Sequence, residues 1–337
     1  MAQSGIIRLA EGEKVDKWVC TKKLGEGACG AVFLVKHTDD GREGALKAEG
    51  TEEPVPLLRM EAIAMMDLAK GRCRHVAELM DKGKQDNFNW IVMRLVGKSL
   101  QDMKKTGPNQ HLSPGVAISV SIQCLEALED LHVAGYLHRD IKPGNFCVGR
   151  AETNELRKIY ILDFGMSRRF IGPDGVIRKP RQAAQFRGTP RYAPIASHES
   201  RDHSRKEELE SWFYMLVDYT NAKLPWKGVT ELNDVGQAKR KARSDLNTFF
   251  IDCPKKEYAQ ILAMIDALQY YEAPPYNKIY EILRKCMKEH KMHEFPYDWE
   301  PEASKQPGKS GSGPKSGFTV VKGYKRAQKS TSQYDGA

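Results

Sequence analysis

Residues 138–145 place a carboxylate, a lysine and an amide at short fixed offsets, in the order His-Arg-Asp140-Ile-Lys142-Pro-Gly-Asn145. A second carboxylate, Asp163, follows eighteen residues after Asn145 and opens the triplet Asp-Phe-Gly. Phosphoryl transfer needs one carboxylate to accept or orient a hydroxyl proton, and an amide and a second carboxylate to hold magnesium on the phosphates. Either motif alone is weak evidence, but the pair in this order indicates a phosphotransferase centre.

A glycine-rich segment upstream is the candidate phosphate-binding loop. Residues 25–32 read Gly-Glu-Gly-Ala-Cys-Gly-Ala-Val, and glycine lets a backbone approach phosphate oxygens without an intruding Cβ. A lone GxGxxG is more often a dinucleotide turn that opens a helix, but residues 31–37 are rich in β-branched and aromatic side chains and predict a strand. A simple hairpin turn is the remaining alternative. Lys47, on the next candidate strand, favours the phosphate-binding interpretation.

Glu61 is the best candidate partner for Lys47. Residues 57–68 carry apolar side chains at helical spacing, and Leu57, Leu58 and Met65 share a side with Glu61. A glutamate in an amphipathic helix is usually solvated. An acid among apolar neighbours is costly to bury without a cation, so the sequence predicts an ion pair between Glu61 and Lys47.

The remaining elements follow from periodicity and capping signals. Short strands are predicted to about residue 95, apart from the helix around Glu61, and mostly helices after it. Ser113-Pro114 predicts a helix start with a capping hydroxyl, and residues 116–131 are apolar enough for a central core helix. Residues 159–162 predict the strand that delivers Asp163. Further helices are predicted at 206–221, 257–270 and 277–290.

Three longer segments carry a family resemblance. They are Phe-Arg-Gly-Thr-Pro-Arg-Tyr-Ala at 186–193, Glu-Leu-Glu-Ser-Trp-Phe-Tyr-Met-Leu-Val at 208–217, and Leu-Pro-Trp at 224–226. With the motifs above, the chain resembles a eukaryotic protein kinase of the casein kinase 1 group, in its tau-tubulin kinase branch, over about residues 15–300. The lysine two positions after Asp140 resembles the one that marks serine/threonine kinases.

This resemblance implies an α+β, bilobal protein-kinase fold. The β-rich N-lobe would span 15–95 and the helical C-lobe 96–300, after an N-terminal extension of residues 1–14. Asp140 would be the catalytic base, Lys142 a γ-phosphate contact, and Asn145 and Asp163 the ligands of Mg²⁺. Met93 would be the gatekeeper, with adenine bound at the backbone around Leu95. The implied nucleotide contacts are Leu24, Gly25, Glu26, Gly27, Ala28, Cys29, Gly30, Val32, Ala45, Lys47, Met93 and Leu95.

Ser99 and Asp102 lie where the family contacts ribose or substrate, but both residue types are also favoured helix caps.

Three positions depart from the common kinase pattern. Ala-Pro-Ile ends at Ile195 where most kinases have Ala-Pro-Glu, a change that the casein kinase 1 group shares. Glu208 replaces the aspartate expected to anchor the catalytic loop, and its extra methylene predicts a shifted backbone or a bent rotamer. Arg94 occupies a hinge position, which predicts altered inhibitor preference.

The segment between Ser167 and Thr189 contains no serine, threonine or tyrosine. Many kinases order this segment by phosphorylation, so the sequence predicts a constitutively active enzyme whose segment is held by packing. The segment is also strongly basic, and residues 239–243, Lys-Arg-Lys-Ala-Arg, form a second basic run. By resemblance, Arg191, Lys239 and Lys241 would bind an acidic or phosphorylated substrate side chain, since cations of this kind grip phosphate oxygens. A solvated basic surface is the alternative for any one of them.

Composition and charge limit the metal sites, the partners and the cellular compartment that we expect for the protein. The chain has 337 residues, a formal net charge of +9 and seven cysteines without a CxxC pair, so neither a disulfide framework nor a zinc site is predicted. Residues 303–337 are rich in Ser, Gly and Lys, predict a disordered tail, and hold +6 of the charge. The remainder is too mildly basic to suggest nucleic-acid binding. No leader or apolar stretch of about 18 residues is present, so we expect a cytoplasmic or nuclear monomer.

The leading hypothesis is therefore an ATP- and Mg²⁺-dependent protein serine/threonine kinase. The alternative from another class is a pseudokinase, in which the same fold serves as a binding scaffold and Glu208 is the first sign of decay. Scaffolds have usually lost a metal or phosphate ligand, whereas here all the ligand positions are filled. A small-molecule kinase is disfavoured by the peptide-groove motif around Thr189.

Overall fold

The computed structural model describes residues 6–27, 30–107, 110–221 and 223–301, and its first region is an antiparallel sheet with one helix. The strands are β1 (Lys14–Val15), β2 (Trp18–Gly27), β3 (Gly30–His37), β4 (Glu43–Gly50), β5 (Leu79–Lys84) and β6 (Phe88–Arg94), and the helix is α1 (Leu57–Lys70). The six strands are arranged in the order β1-β2-β3-β4-β6-β5. Val92, Phe33 and Trp18 lie in an apolar core of this region.

Strand β3 shows why the sequence forms this sheet. Its side chains alternate between buried and partly exposed positions, as expected of a pleated strand with one covered face. Gly30, at its start, has a φ of +107°. A Cβ built at Gly30 would lie 2.2 Å from the carbonyl oxygen of Ala48 on β4. The close approach of two strands therefore requires this glycine, independently of any phosphate.

The second region is mostly helical. Its helices are α2 (Leu100–Thr106), α3 (Pro114–Val133), α4 (Ile195–His198), α5 (Arg205–Thr220), α6 (Leu232–Ser244), α7 (Leu246–Phe249), α8 (Lys255–Ala267) and α9 (Tyr276–Glu289). Two short two-stranded antiparallel sheets accompany them, formed by β8 (Phe146–Val148) with β9 (Ile159–Ile161), and by β7 (Tyr136–Leu137) with β10 (Arg168–Arg169). The predicted α+β, two-lobed arrangement is confirmed.

Helices α3 and α5 form the centre of this region. Both are buried along most of their length, and the indole N–H of Trp212 on α5 donates to the carbonyl of Ser121 on α3 at 2.8 Å. Helix α3 begins at Pro114 as predicted, but the Ser113 hydroxyl makes no capping hydrogen bond. A capping box formed by Ser204 and Glu207 starts α5.

Most predicted boundaries agree with the observed ones to within a few residues. The helix predicted at 257–270 ends at Ala267, because Leu268 adopts an extended backbone. Helix α6 was predicted only as a basic run.

Within the described ranges, no helix has the length and apolar content needed to cross a membrane. The predicted tail at 303–337 lies outside these ranges, as do the loop residues Ala28 and Cys29. Of the predicted N-terminal extension, Ile7 and Leu9 pack against the core of the sheet region.

Candidate active site

Lys47 joins the two regions through a pair of carboxylates. Its Nζ lies 2.6 Å from Glu61 Oε2 and 2.9 Å from Asp163 Oδ1. The Lys47 and Glu61 side chains are only 8% and 1% exposed, whereas Asp163 is 31% exposed. Burial opposes the ammonium, but Glu61 and Asp163 outweigh it and raise the pKa of Lys47, which therefore stays charged. The predicted pairing of Lys47 with Glu61 is present.

Helix α1 is oriented so that Glu61 faces the cleft. No side chain of its own caps it, but the buried carboxylate of Glu49 on β4 accepts a hydrogen bond from the Leu58 N–H at 3.0 Å. A carboxylate at a helix N-terminus satisfies a free N–H and complements the helix dipole. The strand that carries Lys47 thus also fixes the helix that carries its partner.

Asp140 is the centre of a hydrogen-bonded loop. Its Oδ2 accepts from Lys142 Nζ at 2.5 Å, and its Oδ1 accepts from the Thr189 hydroxyl at 3.0 Å. The Asn145 amide donates to the Asp140 carbonyl at 2.8 Å. The Asp140 and Asn145 residues are 4% and 6% exposed. The loop is thereby held rigidly beside the segment that follows Asp163.

Glu208, on α5, anchors the loop around Asp140 at the position where the common kinase pattern has an aspartate. Its Oε1 accepts from the Arg139 N–H at 2.6 Å, and its Oε2 lies 2.7 Å from His132 Nε2. Burial favours the neutral acid, but the His132 and Arg139 hydrogen bonds outweigh it and hold the pKa of Glu208 below its ordinary value. Glu208 therefore anchors the loop through the hydrogen bond that one of its oxygens accepts from Arg139. Its second oxygen contacts His132, a residue that the sequence motifs do not indicate.

Two residues of the centre have a left-handed backbone although neither is a glycine. Arg139 and Asp163 have φ values of 69° and 68°. This conformation is costly for such residues and persists where surrounding contacts enforce it. For Arg139 those contacts are the bond to Glu208 and a 2.7 Å bond from its Nε to the Met166 carbonyl.

The residues after β9 are supported by His138. Its Nε2 lies 2.9 Å from the Leu162 carbonyl, and the Asp140 N–H donates to its Nδ1 at 3.3 Å. These two bonds require the proton on Nε2. The Phe164 ring packs at 5.5 Å from the His138 ring. His138 thus joins the Asp140 loop to the segment that presents Asp163.

Oxygen ligands for a divalent cation are present in this centre. Asp163 uses Oδ1 for Lys47, and Asn145 uses its amide nitrogen for Asp140. Among the described residues, Asp163 Oδ2 and Asn145 Oδ1 accept no hydrogen bond. Carboxylate and amide oxygens suit a hard cation such as Mg²⁺, so the predicted metal ligands fit this role.

The predicted nucleotide wall is assembled from β3, β4 and β6. Ala45 pairs with Met93 in register, and Val32 pairs with Lys47. Ala45 and Met93 are buried, whereas Leu24 is 44% exposed on β2. A Cβ at Gly25 would meet no atom within 4 Å, so open space lies beside this part of the loop. Of the other predicted contacts, Glu26 and Gly27 end β2, Gly30 begins β3, and Leu95 directly follows β6.

Two side chains near the hinge have structural partners. Arg94 Nη2 forms an ion pair with Glu155 Oε2 at 2.6 Å. Ser99 caps α2, since its hydroxyl accepts from the Asp102 N–H at 3.2 Å. The capping alternative is therefore realised for Ser99, whereas Asp102 lies in the first turn of α2 and its carboxylate accepts from the Ser99 hydroxyl at 2.7 Å.

Ion pairs between side chains of the protein itself hold the segment between Asp163 and Thr189. The buried Asp202 carboxylate accepts from Arg168 at 2.8 Å and from Arg181 at 2.7 Å. Burial favours the neutral acid, but bonds from Arg181 and Arg168 outweigh it and hold the pKa of Asp202 well below its ordinary value. Backbone bonds from Phe170 to Gly135 and from Ala184 to Ser200 add to this support.

Lys239 does not lie where a substrate anion could reach it, and its prediction as an anion contact is wrong. The residue is fully buried, and its Nζ donates to the carbonyls of Pro190 and Ala193. Burial lowers the pKa of Lys239 to about 7. Lys239, on α6, instead holds the end of the segment between Asp163 and Thr189 through these two carbonyls. Arg191 and Lys241, in contrast, are exposed.

The end of the segment is held without the usual glutamate. The Ile195 N–H donates to Glu210 Oε1 on α5 at 2.7 Å, and Arg243 Nη2 on α6 lies 3.0 Å from the same oxygen. Arg243, part of the predicted basic run, is therefore engaged inside the fold.

Comparison with known proteins agrees with this geometry. The family model described as protein kinase domain matches residues 18–293. A protein named as a probable serine/threonine-protein kinase of Dictyostelium discoideum is 31% identical over 285 residues, 84% of this chain, and the chain spans only 56% of its length. The serine/threonine-protein kinase spe-6 of Caenorhabditis elegans is 33% identical over 307 residues, 89% of this chain and 79% of that protein.

A third relative, from Caenorhabditis elegans, is named "Putative casein kinase I" and is 29% identical over 302 residues, 85% of this chain and 84% of its own length. Protein kinases in general use ATP with a divalent metal and act on protein substrates. The chain belongs to the protein kinase family and is a serine/threonine protein kinase.

Proposed function

We propose that the chain, through a catalytic domain at about residues 15–300, transfers the γ-phosphate of ATP to serine or threonine in proteins, with Mg²⁺ as its metal. The observation that carries this proposal is the single cleft that gathers Lys47, Glu61 and Asp163 beside Asp140 and Asn145. A scaffold of the same fold would not need both an intact Lys47–Glu61 pair and two unengaged metal-ligand oxygens.

Each side chain has a definite task in this reaction. Asp140, held by Lys142 and Thr189, accepts or orients the proton of the substrate hydroxyl, while Lys142 stays next to the transferred phosphate. Lys47, kept charged by Glu61, binds phosphate oxygens. Asn145 and Asp163 would hold Mg²⁺, which neutralises charge on the phosphates when bound. Catalysis then rests on positioning and electrostatics.

The test is a peptide array with radiolabelled ATP, run with Mg²⁺, with Mn²⁺ and with a chelator. We expect metal-dependent labelling of serine or threonine peptides. Failure to label any polypeptide with saturating Mg²⁺ and ATP would instead favour the scaffold.

We also assign the chain to the casein kinase 1 group and its tau-tubulin kinase branch. Support comes from the segments at 186–193, 208–217 and 224–226, and from the relative named as a casein kinase I. The Ile195 position, anchored through Glu210 rather than by a glutamate of its own, fits that group.

We propose that the enzyme is active without phosphorylation of the segment between Asp163 and Thr189. Its order is supported by Asp202 and Lys239, which belong to the chain and need no added phosphate. Treatment of the purified enzyme with a protein phosphatase should leave kcat unchanged, because no phosphate contributes to the segment. The measurement is turnover before and after treatment, with intact mass confirming dephosphorylation. A collapse in kcat would show that a phosphosite elsewhere is required.

A preference for acidic or already phosphorylated substrates is proposed for the exposed cations Arg191 and Lys241. Replacing Arg191 by glutamate should lower kcat/KM for a phosphorylated peptide roughly tenfold more than for its unphosphorylated counterpart, since the guanidinium fork would be lost and a like charge added. The two kcat/KM values are measured on matched peptides. Lys278→Glu, an exposed change of the same charge on α9, is the control, and equal losses on both peptides would contradict the proposal.

A further inference from the structure

Three side chains that can bind a metal meet where helices α8 and α9 pack together. They are Glu257 on α8, Cys286 on α9, and His290, which directly follows α9. Their ligand atoms, a carboxylate oxygen, a thiol sulfur and an imidazole nitrogen, all lie within 4.8 Å of one another. In the part of the chain that the structure describes, they form the one group of three His, Cys, Asp or Glu side chains with this property. We call it the α8–α9 cluster.

The backbone fixes the relative positions of Cys286 and His290. The two residues are four positions apart, so they lie on the same face of the helix. The His290 N–H donates to the Cys286 carbonyl at 3.0 Å, and His290 keeps a nearly helical backbone. Glu257 comes from the first turn of α8, which packs against α9. The fold thus brings together side chains that no short sequence motif connects.

The ligand atoms of the α8–α9 cluster are not engaged in hydrogen bonds within the described ranges. The Glu257 side chain is only 11% exposed, and its ion-pair partner there is His290, whose Nε2 lies 3.7 Å from Glu257 Oε2. That separation is too long for a hydrogen bond. The buried Cys286 sulfur has no hydrogen-bond partner among the same residues. Since a nearly buried carboxylate is costly without a close cation, the N-terminal dipole of α8 offsets only part of the cost for Glu257.

The surroundings of the Cys286 thiol favour a cation over a bare thiolate. Burial, Glu257 and Glu289 raise the pKa of Cys286 to about 12. The two carboxylates that oppose a negative sulfur attract a divalent cation, and such a cation displaces the thiol proton to solvent when it binds.

The mixture of ligand types indicates which ion fits. Zn²⁺ binds thiolate sulfur at about 2.3 Å and imidazole nitrogen or carboxylate oxygen at about 2.0–2.2 Å, in a tetrahedral arrangement. Neighbouring ligand atoms of such a site are therefore about 3.3–3.7 Å apart. The 3.7 Å between His290 and Glu257 already meets this requirement. Mg²⁺ and Ca²⁺ prefer sites built from several oxygen ligands, and the cluster offers only one carboxylate.

We propose that the α8–α9 cluster binds one Zn²⁺ through Cys286, His290 and Glu257, with a water molecule as the fourth ligand. His290 is 47% exposed, so the ion can enter from the surface and water can reach the fourth position. The ion would connect the start of α8 to the end of α9, whereas residues 268–275 connect the opposite ends of these helices. Its role is structural, and it does not depend on the proposed phosphoryl transfer.

The experiment measures zinc binding to the full chain after a chelator has removed bound metal. Zn²⁺ is titrated in competition with a chromophoric zinc indicator, for the wild type and for His290→Ala, Glu257→Gln and Cys286→Ala. His293→Ala and Glu281→Gln, at exposed positions, are the matched controls. Co²⁺ is then added in place of Zn²⁺, because a cobalt–thiolate bond gives a charge-transfer absorption band. Thermal unfolding shows which variants are folded, and His290→Ala tests the proposal even if Cys286→Ala does not fold.

The wild-type chain should bind one Zn²⁺ with a dissociation constant on the order of 1 µM or tighter. Each of the three ligand variants should weaken binding at least about tenfold, since even the outer partners of zinc ligands contribute that much. Both controls should bind zinc like the wild type. Saturating Zn²⁺ should raise the Tm of the wild type by a few degrees but leave that of His290→Ala unchanged.

The same measurements can overturn the assignment. Zinc affinity that His290→Ala and Glu257→Gln leave unchanged would do so, as would a cobalt complex without the charge-transfer band. Asp163→Asn should keep the wild-type zinc affinity, and a loss of binding in that variant would place the ion at the Asp163 centre instead. None of these results depends on whether the chain labels peptides, so the zinc site and the proposed transferase are tested separately.

Discussion

Replacing Asp140 by asparagine is expected to lower kcat by about 10²–10⁴-fold, the usual contribution of a positioned proton acceptor. The amide keeps the size of the side chain but is a poor base. It also presents only one oxygen where Asp140 presents two, to Lys142 and to Thr189. The measurement is kcat at saturating ATP and peptide.

An exposed carboxylate far along the chain gives the control for this change. Asp252→Asn should keep wild-type kcat, and thermal unfolding should show that the Asp140→Asn protein is folded. A folded Asp140→Asn enzyme whose kcat stays within about tenfold of wild type would exclude Asp140 as the proton acceptor.

The second large effect is expected for Asp163→Asn, which should lower kcat by at least about 10³-fold. Metal stabilisation of a transferred phosphoryl group supplies several kcal/mol, and about 1.4 kcal/mol corresponds to each factor of ten. The variant loses a charged oxygen for the metal and one of the two carboxylates that face Lys47. The measurements are kcat and the affinity for ATP with and without Mg²⁺.

The metal dependence distinguishes the role of Asp163 from a general loss of structure. Wild-type protein should bind ATP more tightly with Mg²⁺, and Asp163→Asn should lose most of that difference while still unfolding cooperatively. Asp234→Asn, at an exposed position on α6, should behave as wild type. If Asp163→Asn retains the full effect of Mg²⁺ on ATP affinity, Asp163 is not a metal ligand.

Much of the centre could be predicted from the sequence because its residues lie in short motifs or obey a local energetic rule. Glu61 is an example, since an acid on the apolar face of a helix requires a cation, and Lys47 is that cation. The loop around Asp140 is another, because its amide and lysine lie within five residues of the carboxylate.

The wrong assignment of Lys239 has a different cause. In the sequence, a run of cations resembles one basic surface, but helix α6 directs its members to different sides. Val235, Lys239 and Ala242 are spaced by four and three residues and are all buried, whereas Arg240 and Lys241 between them are exposed. The helical spacing was available in the sequence and would have separated the buried lysine from its neighbours.

Other contacts had no local signal. Thr189 contacts Asp140 across 49 residues, and His132 contacts Glu208 across 76. Such pairs arise only when the segment, α3 and α5 pack together.

The carboxylate of Asp202 has a consequence for control of the enzyme. A phosphate on a kinase loop can be added and removed enzymatically, whereas the Asp202 carboxylate is always present because the gene encodes it. For an enzyme that is active without phosphorylation, as we propose, cells would adjust its output by how many copies they make and destroy, or by a protein that covers its cleft. In a dose series of expressed enzyme, product formed per cell should therefore rise in proportion to copy number.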